Sequence, residues 1–310
     1  MSGNGWMRLE LRYLAALQAI EATGSFGAAA DELGYTQSAI SHQIATLERL
    51  VGQPLIDRPG GRRPVGLTSA GSLLLGHAEP VLARMRIAHT QLEGLAEDGA
   101  RTLRVGTFQS VGVRILPGAA GRLAESHPEL HLEIHERPDV TSLVDLVRRG
   151  SVDITFCGLP VPDGPFATEE LIDDHYLLLV PADSPLRGST VPLEALGQLP
   201  LVGCGRCVAE ERVESYLRGL GIDLNHVVQA GDNAIIQALV ADGRAALMTE
   251  LSIDRDDPRT AAVPLRDWVP PRRVGLAWHR EQGLPPALQA FVSAVRGAVL
   301  SWRSALRSAA

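Results

Sequence analysis

The stretch that decides the fold, residues 24–71, reads GSFGAAADELGYTQSAISHQIATLERLVGQPLIDRPGGRRPVGLTSAG. Its alanine-rich first part, Phe26–Leu33, follows a serine that can cap a helix, and a Gly-Tyr pair then makes a tight turn. Thr36 caps a second helix that runs to about Val51, where a Gly-Gln-Pro sequence stops it. A hairpin rich in Gly, Pro and Arg follows. This order predicts an all-α winged helix-turn-helix domain over residues 1–66, with a further amphipathic helix in front.

The polar tip of the second of these helices is the part that would enter a major groove. A glutamine there can pair with adenine, and serine hydroxyls suit phosphates or base edges. Arginines of the hairpin would meet phosphates or the minor groove. The predicted contacts to double-stranded DNA are Ser25, Thr36, Gln37, Ser38, Ser41, His42, Arg58, Arg62 and Arg63. The alternatives stay open: solvated helix and turn residues, and hydroxyls that only cap helices.

Charge is unevenly distributed along the chain. The net charge is −7, and each of the 29 basic side chains is an arginine. Residues 1–66 carry six arginines and six acids, so the acidic excess lies downstream. Three of those arginines fall within Arg58–Arg63. A local cationic loop on a neutral domain favours site-directed DNA binding over non-specific coating.

A linker segment over residues 67–100 carries a predicted long helix from Thr68 to about Leu95. Its apolar positions follow each other in steps of four and three, which is the spacing of a heptad seam. The seam residues are Leu74, Ala78, Val81, Met85, Ala88, Leu92 and Leu95. We interpret this helix as a dimerisation element that ends in a hinge near Glu97–Arg101. A helix packed on its own domain is the alternative.

Beyond residue 101 the hydrophobic period changes, and short apolar strands alternate with amphipathic helices. Val152–Cys157 has the nearly continuous apolar character of a buried strand. Alternation of this kind predicts a parallel α/β sheet. The pattern continues to about residue 303 and predicts two small lobes.

The residue types and spacing resemble LysR-type transcriptional regulators. The likeness is carried by Gly24-Ser25-Phe26, the run Thr36–Ser41, the stretch Arg149–Ile154 and the turn Ala241-Asp242-Gly243. It implies a linker helix followed by a two-lobed effector domain over residues 101–310, similar to periplasmic solute-binding proteins. Lobe I would comprise about 101–172 and 266–303, and lobe II about 173–265.

The same resemblance implies a regulator that assembles as a dimer or tetramer, binds promoter half-sites and contacts RNA polymerase. His42 stands where the family often has arginine, so the base preference at that position does not carry over. The stretch from Gly243 to Met248 contains Arg244 and lacks the family's closing proline. The class of effector therefore does not carry over either.

Ligands of α/β sheets bind beyond the carboxyl ends of strands. That rule selects Thr107, Phe108, Gln109 and Ser110, together with the loop of Gly203, Cys204, Gly205, Arg206 and Cys207. By resemblance the cleft also includes Phe156, Cys157, Gly158, Asp232, Asn233, Met248 and Thr249. We expect a small organic anion, held between Gln109 and Ser110 on one side and the Cys204–Cys207 loop on the other, where backbone N–H groups and the Arg206 guanidinium would bind it. The alternative is that Arg206 pairs with a surface acid such as Glu210.

Two other groupings of reactive side chains have competing interpretations. Cys204 and Cys207, beside an arginine at a helix start, form a candidate redox pair, although packed thiols explain them as well. Peroxide-sensing members of the family have a partner cysteine further along the next helix, and this chain has none there. His131, Glu133 and His135 share one strand face and offer zinc ligands, but a solvated or interface face is the alternative. We expect no metal and no other cofactor.

The rival class is an enzyme or solute-binding protein built on the two lobes. The sequence contains no dinucleotide-binding, P-loop or nucleophile-elbow motif in a fitting context, so we expect no enzyme. It also lacks a signal-like start and any apolar run of 18 residues. Three cysteines do not suggest a secreted disulfide scaffold. These features favour a cytoplasmic regulator. They identify neither the effector nor the operator, nor whether the protein activates or represses.

Overall fold

A computed structural model describes residues 6–57, 64–93, 101–189, 191–205, 208–265 and 268–308. The chain divides into two compact units, Met1–Leu92 and Glu93–Ala310. Among the described residues, no helix is both long and apolar enough to cross a membrane.

The first unit is a helical domain with a small hairpin. Its elements are α1 (Leu11–Thr23), α2 (Phe26–Leu33), α3 (Gln37–Val51), β1 (Ile56–Asp57), β2 (Gly66–Leu67) and α4 (Ser69–Glu93). The strands pair antiparallel. Aliphatic side chains of α1, α3 and the first half of α4 form one core, in which Leu17, Ile40 and Ile44 are fully buried. The predicted helix-turn-helix with a wing is therefore present.

The base of the wing is fixed to the helices by specific contacts. One Glu48 carboxylate oxygen accepts hydrogen bonds from the backbone N–H groups of Leu55 and Ile56, at 2.8 and 3.3 Å. The Thr68 hydroxyl donates to the Pro54 carbonyl, and its oxygen accepts from the Gly71 N–H and caps α4. A Cβ on Gly71 would lie 2.1 Å from the Leu55 carbonyl oxygen, so this close approach requires glycine.

Helix α4 belongs to the first unit for most of its length. Leu74 and Ala78, two of the predicted seam residues, are buried in the unit's own core. Later positions are different, because Val81, Met85 and Leu92 are each about half exposed or more. Ala88 is half-buried, and Leu95 lies outside the described residues. The apolar face left over for another helix is therefore shorter than the heptad pattern indicates.

The second unit contains ten strands and six α-helices among its described residues. In chain order they are β3 (Arg101–Thr107), α5 (Gln109–Arg114), α6 (Leu116–Ser126), β4 (Leu130–Glu136), α7 (Val140–Arg148), β5 (Ile154–Gly158), β6 (Phe166–Asp174), β7 (Tyr176–Pro181), β8 (Leu201–Gly203), α8 (Val208–Gly219), β9 (His226–Gln229), α9 (Asn233–Ala241), β10 (Ala246–Thr249), β11 (Thr260–Pro264), β12 (Arg272–His279) and α10 (Pro286–Ser308).

A five-stranded sheet of order β4-β3-β5-β12-β6 forms the first lobe. Strand β3 is parallel to β4 and β5, but β12 runs antiparallel to both β5 and β6. The expected parallel sheet is thus wrong in part, because the chain returns from the second lobe to add β12 in the opposite direction. Helix α10 packs with α6 over this sheet around Phe291 and Leu123.

The second lobe is built from a three-stranded antiparallel sheet, β10-β7-β11, and the parallel pair β8-β9. A single bridge from Leu201 to Ala245 connects the two. The chain passes from one lobe to the other between Asp174 and Tyr176. It returns in the segment between Pro264 and Arg272. The carboxyl ends of β3 and β5 face the second lobe across a cleft.

Candidate DNA interface and ligand cleft

The N-terminal tip of α3 presents polar side chains to solvent. Gln37, Ser38 and His42 are exposed, and Ser41 is half-buried. The inward face of the same helix carries Ile40 and other buried aliphatic residues, so the polar tip is held on a rigid core. This is the geometry with which a recognition helix offers side chains to base edges.

Ser25 and Thr36 both act as helix caps. The Ser25 hydroxyl oxygen accepts from the Ala28 N–H at 3.4 Å, and that of Thr36 accepts from the Ala39 N–H at 3.2 Å. A hydroxyl that accepts a capping bond retains its own proton, so donation to a phosphate is compatible with this role. Arg58, Arg62 and Arg63 lie outside the described residues.

The cleft between the two lobes encloses a cavity of about 770 Å³. Cavities of this size are typical of small-molecule sites. Its apolar lining includes Phe108, Val161 and several prolines. Its charged lining consists of Arg137, Arg212, Arg272, Glu136 and Asp232. Of the predicted effector residues, it includes Phe108, Gln109, Ser110, Gly158, Cys204, Asp232 and Asn233.

Gln109 links the two lobes at the edge of this cavity. Its amide donates to the Asp232 carboxylate at 2.5 Å, and its carbonyl oxygen accepts from the Asn233 N–H at 3.0 Å. Asp232 also caps α9 by accepting from the Ile235 N–H. That backbone bond, together with the Gln109 bond, holds the pKa of the Asp232 carboxyl below its ordinary value. Gln109 therefore serves as a contact between lobes in this structure.

A buried ion pair lies beneath the cavity. The Arg272 guanidinium donates through Nε to Asp174 Oδ2 at 3.1 Å, and through Nη2 to the Ser110 hydroxyl at 2.9 Å and the Thr249 hydroxyl at 3.2 Å. Asp174 is fully buried and also accepts from the Leu251 N–H. The Arg272 guanidinium carbon lies 5.0 Å from the centre of the Phe108 ring. Elements α5, β6 and β12 of one lobe, together with β10 and the turn after it in the other, thus meet at this pair.

Neither member of this pair was predicted from the sequence, although a signal was present. Arg272 and Asp174 are register partners across the antiparallel β12-β6 ladder. Asp173-Asp174 and Arg272-Arg273 are doublets of opposite charge that flank the two lobe crossings. Arg137 and Arg212 were missed as well. Arg212 donates to the carbonyls of Leu159 and Pro160, at 3.0 and 3.4 Å.

The loop after β8 differs from the expected anion site. The backbone N–H groups of Cys204 and Gly205 both donate to the Glu210 carboxylate, which lies on the first turn of α8. These two donors are therefore engaged by a carboxylate of the chain itself. Arg206 and Cys207 lie outside the described residues. Gly203 and Gly205 do not line the cavity.

Several other predicted effector residues belong to the core. Phe156 and Cys157 are fully buried on β5, and Met248 on β10 is buried in a cluster with Leu179 and Ile236. These three side chains lie in the core and outside the cavity lining, unlike the prediction. Strand β5 is a central strand covered on both faces, and only its last residue, Gly158, lines the cavity. Thr107 is buried as well. Thr249 is buried but reaches the cleft indirectly through Arg272.

The cysteines differ in burial, and the histidines of β4 lie too far apart to act together. Desolvation raises the pKa of the Cys157 thiol to about 12. Cys204 is half-buried at the edge of the cavity. On β4, His135 lies 3.0 Å from Glu133. His131 and His135 are four residues apart on an extended strand, roughly 13 Å, so they cannot share one metal ion.

Comparison with known proteins identifies the family. Residues 11–72 match the model of the bacterial regulatory helix-turn-helix protein of the lysR family. Residues 96–299 match the LysR substrate binding domain. The chain belongs to the LysR family of transcriptional regulators, whose members bind DNA and form oligomers.

The curated relatives are named for different physiological processes. The chain is 30% identical to a "probable nitrogen assimilation transcriptional activator" of Synechococcus elongatus, over 90% of this chain and 92% of that protein. It is 26% identical to a "probable hydrogen peroxide-inducible genes activator" of Mycobacterium avium, over 87% and 88%. It is 33% identical to a "probable RuBisCO transcriptional regulator" of Trichormus variabilis, but that match spans 57% of the relative and 62% of this chain.

Among solved structures, full-length CbnR complexed with its target DNA has a TM-score of 0.59 and 21% identity. The alignment covers 94% of this chain and all of CbnR. This likeness shows the shared fold.

Proposed function

We propose that this LysR-type regulator reads DNA with the tip of α3 and responds to a small organic anion bound in the cleft between its lobes. Family membership supplies the DNA-binding class and the effector domain. The proposal adds the residues and the effector chemistry. Gln37, Ser38, Ser41 and His42 read base edges, with phosphate contacts from Ser25, Thr36 and the wing arginines.

The arrangement of arginines around the cavity is the observation that best supports an anionic effector. Arg137, Arg212 and Arg272 come from three separate segments and outnumber the two lining acids. Asp232 is already satisfied by Gln109 and by a backbone N–H, so it repels a carboxylate less than an unbonded acid would. We assign the carboxylate end of the effector to these three arginines, and its apolar part to Phe108 and Val161.

Occupancy of the cleft would alter the contacts that now cross it. Gln109 holds Asp232 and Asn233, and Arg212 holds two carbonyls of the opposite lobe. A ligand that competes for these groups changes the free energy of one lobe arrangement relative to another, and this difference is what couples the two sites. A regulator of this type acts on promoter DNA as a dimer or tetramer and meets RNA polymerase there. Its place of action would be the cytoplasm.

Calorimetric titration of the full-length protein with small mono- and dicarboxylates tests the effector class. The Arg137→Gln and Arg212→Gln variants should each weaken binding about tenfold, which corresponds to about 1.4 kcal/mol. Arg187→Gln is the matched control, because this exposed arginine does not line the cavity. Equal binding by all variants, or binding only of uncharged compounds, would contradict the anionic effector.

A second candidate function is thiol-based sensing through Cys204. This residue lies at the cavity edge, and one relative is named for hydrogen peroxide. Cys204→Ser protein that loses a peroxide-dependent change in DNA affinity would support this candidate. DNA affinity that peroxide leaves unchanged in the wild type would remove it.

A further inference from the structure

Three potential metal ligands converge on one side of α8, outside the lining of the cleft. Glu210 and Glu214 lie one helical turn apart, and His226 opens the neighbouring strand β9. One ligand atom from each residue lies within 4.8 Å of the others. Their side chains are 13%, 25% and 17% exposed, so the group is largely shielded from solvent.

The geometry orients the carboxylates toward the imidazole. His226 Nε2 lies 3.6 Å from Glu210 Oε1, and His226 Nδ1 lies 3.2 Å from Glu214 Oε1. The other Glu210 oxygen, Oε2, accepts from the Cys204 and Gly205 N–H groups. Outer hydrogen bonds of this kind fix a ligating carboxylate in place.

Gly203 leaves the space that this arrangement needs. A Cβ there would lie 3.2 Å from both Glu210 Oε1 and the His226 ring. That distance is tighter than ordinary contact, so a larger residue would press on both ligands.

Charge favours a cation at this position. Two carboxylates and one imidazole have a net charge of −2 when the imidazole is neutral and −1 when it is protonated. Like charges four residues apart on a helix repel each other. Arg218 lies 3.8 Å from the outer oxygen of Glu214, but its side chain is 65% exposed and is screened by water. The positive end of α8 stabilises Glu210 in part.

We propose that Glu210, Glu214 and His226 bind one divalent transition-metal ion, of the chemistry of Zn²⁺ or Mn²⁺. The imidazole ligand selects against Mg²⁺ and Ca²⁺, which prefer oxygen. Three protein ligands leave room for water to complete the coordination shell. The ion would hold the start of β9 to α8, next to the loop that contains Cys204 at the cavity edge. This site is independent of the proposed effector.

Metal titration of the untagged, full-length protein tests the site. After chelator treatment and dialysis, calorimetry with ZnCl₂ and separately with MnCl₂ should give about one ion per chain. Glu214→Gln and His226→Gln should each weaken binding about tenfold or more. Glu211→Gln should bind as the wild type does, because this exposed residue on the same helix lies outside the cluster. The tighter of the two metals identifies the preferred ion.

Thermal unfolding distinguishes a metal site from a cluster of ion pairs that binds no metal. The metal should raise the melting temperature of the wild type and of Glu211→Gln, but not that of Glu214→Gln. Absence of stoichiometric binding in the wild type would overturn the proposal. So would equal metal affinity in the wild type and in folded His226→Gln protein.

Discussion

At the scale of single residues, the cleft depends on charged groups that are removed from water. Asp174 is fully buried and the Arg272 side chain is 11% exposed, and each satisfies the other through direct hydrogen bonds. Ser110, Thr249 and the Leu251 N–H complete the network. A charge in such a place is tolerated only while its partner remains. The ion pair therefore fixes the floor of the cleft at the point where the chain crosses between lobes.

Asp174→Asn should destabilise the second unit by about 3–5 kcal/mol, because it leaves the Arg272 charge buried without a carboxylate. Urea unfolding followed by tryptophan fluorescence measures the loss, since three of the four tryptophans lie beyond residue 260. Glu170→Gln is the control. Its pair with Arg273 is about half exposed, so we expect a change within about 0.5 kcal/mol. Equal effects of both substitutions would refute the role of the buried pair.

The two described cysteines should differ in reactivity. Burial raises the pKa of Cys157 to about 12, so at pH 8 about one thiol in ten thousand is ionised. Iodoacetamide should therefore modify Cys204, which is half-buried, at least about a hundredfold faster than Cys157. Peptide mass spectrometry after timed labelling gives both rates, and labelling in urea should abolish the difference. Comparable rates in the native protein would show that Cys157 is accessible.

At the scale of elements, the helices of the first unit are defined by their ends. Ser25, Thr36 and Thr68 accept capping bonds, and glycines with positive φ at residues 24, 34 and 52 terminate α1, α2 and α3. The base of the wing, at Leu55, then packs against the start of α4, where Gly71 has no side chain. At each of these helix ends, the local sequence pattern and the tertiary contacts thus favour the same structure.

Gly71→Ala should destabilise the first unit by about 1–3 kcal/mol, because its methyl group would collide with the Leu55 carbonyl. Gly76→Ala on the same helix is the matched control. It has open space around the added carbon, so the better helix propensity of alanine should stabilise by about 0.5–1 kcal/mol. Thermal unfolding monitored by circular dichroism distinguishes the two signs. Stabilisation by both substitutions would contradict the close packing at the wing.

Some of these elements can be predicted from the sequence more accurately than others, for physical reasons. Capped helices with a clear period were predicted to within a few residues. Strand β6 was missed because it lies at a sheet edge and only three of its nine residues are buried, so the acidic residues Glu169, Glu170 and Asp173 indicate a loop. The site was predicted less completely than the fold. Arg272 and Asp174 are 98 residues apart, and the return of β12 that joins them leaves no local pattern.

At the scale of the whole molecule, the second half of α4 is the surface that we propose for self-association. Val81, Met85 and Leu92 are 47%, 51% and 66% exposed, which is unusual for apolar residues in a helical register. Leu74 and Ala78 already serve the core of the first unit. The second half of α4 therefore carries the proposed dimer contact, with spacing suited to a paired helix.

A Val81→Asp/Met85→Asp double variant should raise the dimer dissociation constant at least about a hundredfold, since each aspartate would bury a charge in an apolar seam. Analytical ultracentrifugation over a concentration series measures the change. Leu300→Asp is the control, because this exposed leucine on α10 lies outside the seam. A double variant that remains as dimeric as the wild type would place the contact elsewhere.

The most direct test of the central claim is a gel shift on the DNA upstream of the protein's own gene. We predict a saturable, sequence-selective shift that weakens about 10- to 100-fold or more in Gln37→Ala/Ser41→Ala protein, since these side chains would read bases. Gln53→Ala, just beyond the other end of α3 and roughly 24 Å away, should bind as the wild type does. Wild-type affinity and selectivity in the folded double variant would contradict the claim that the tip of α3 reads the operator.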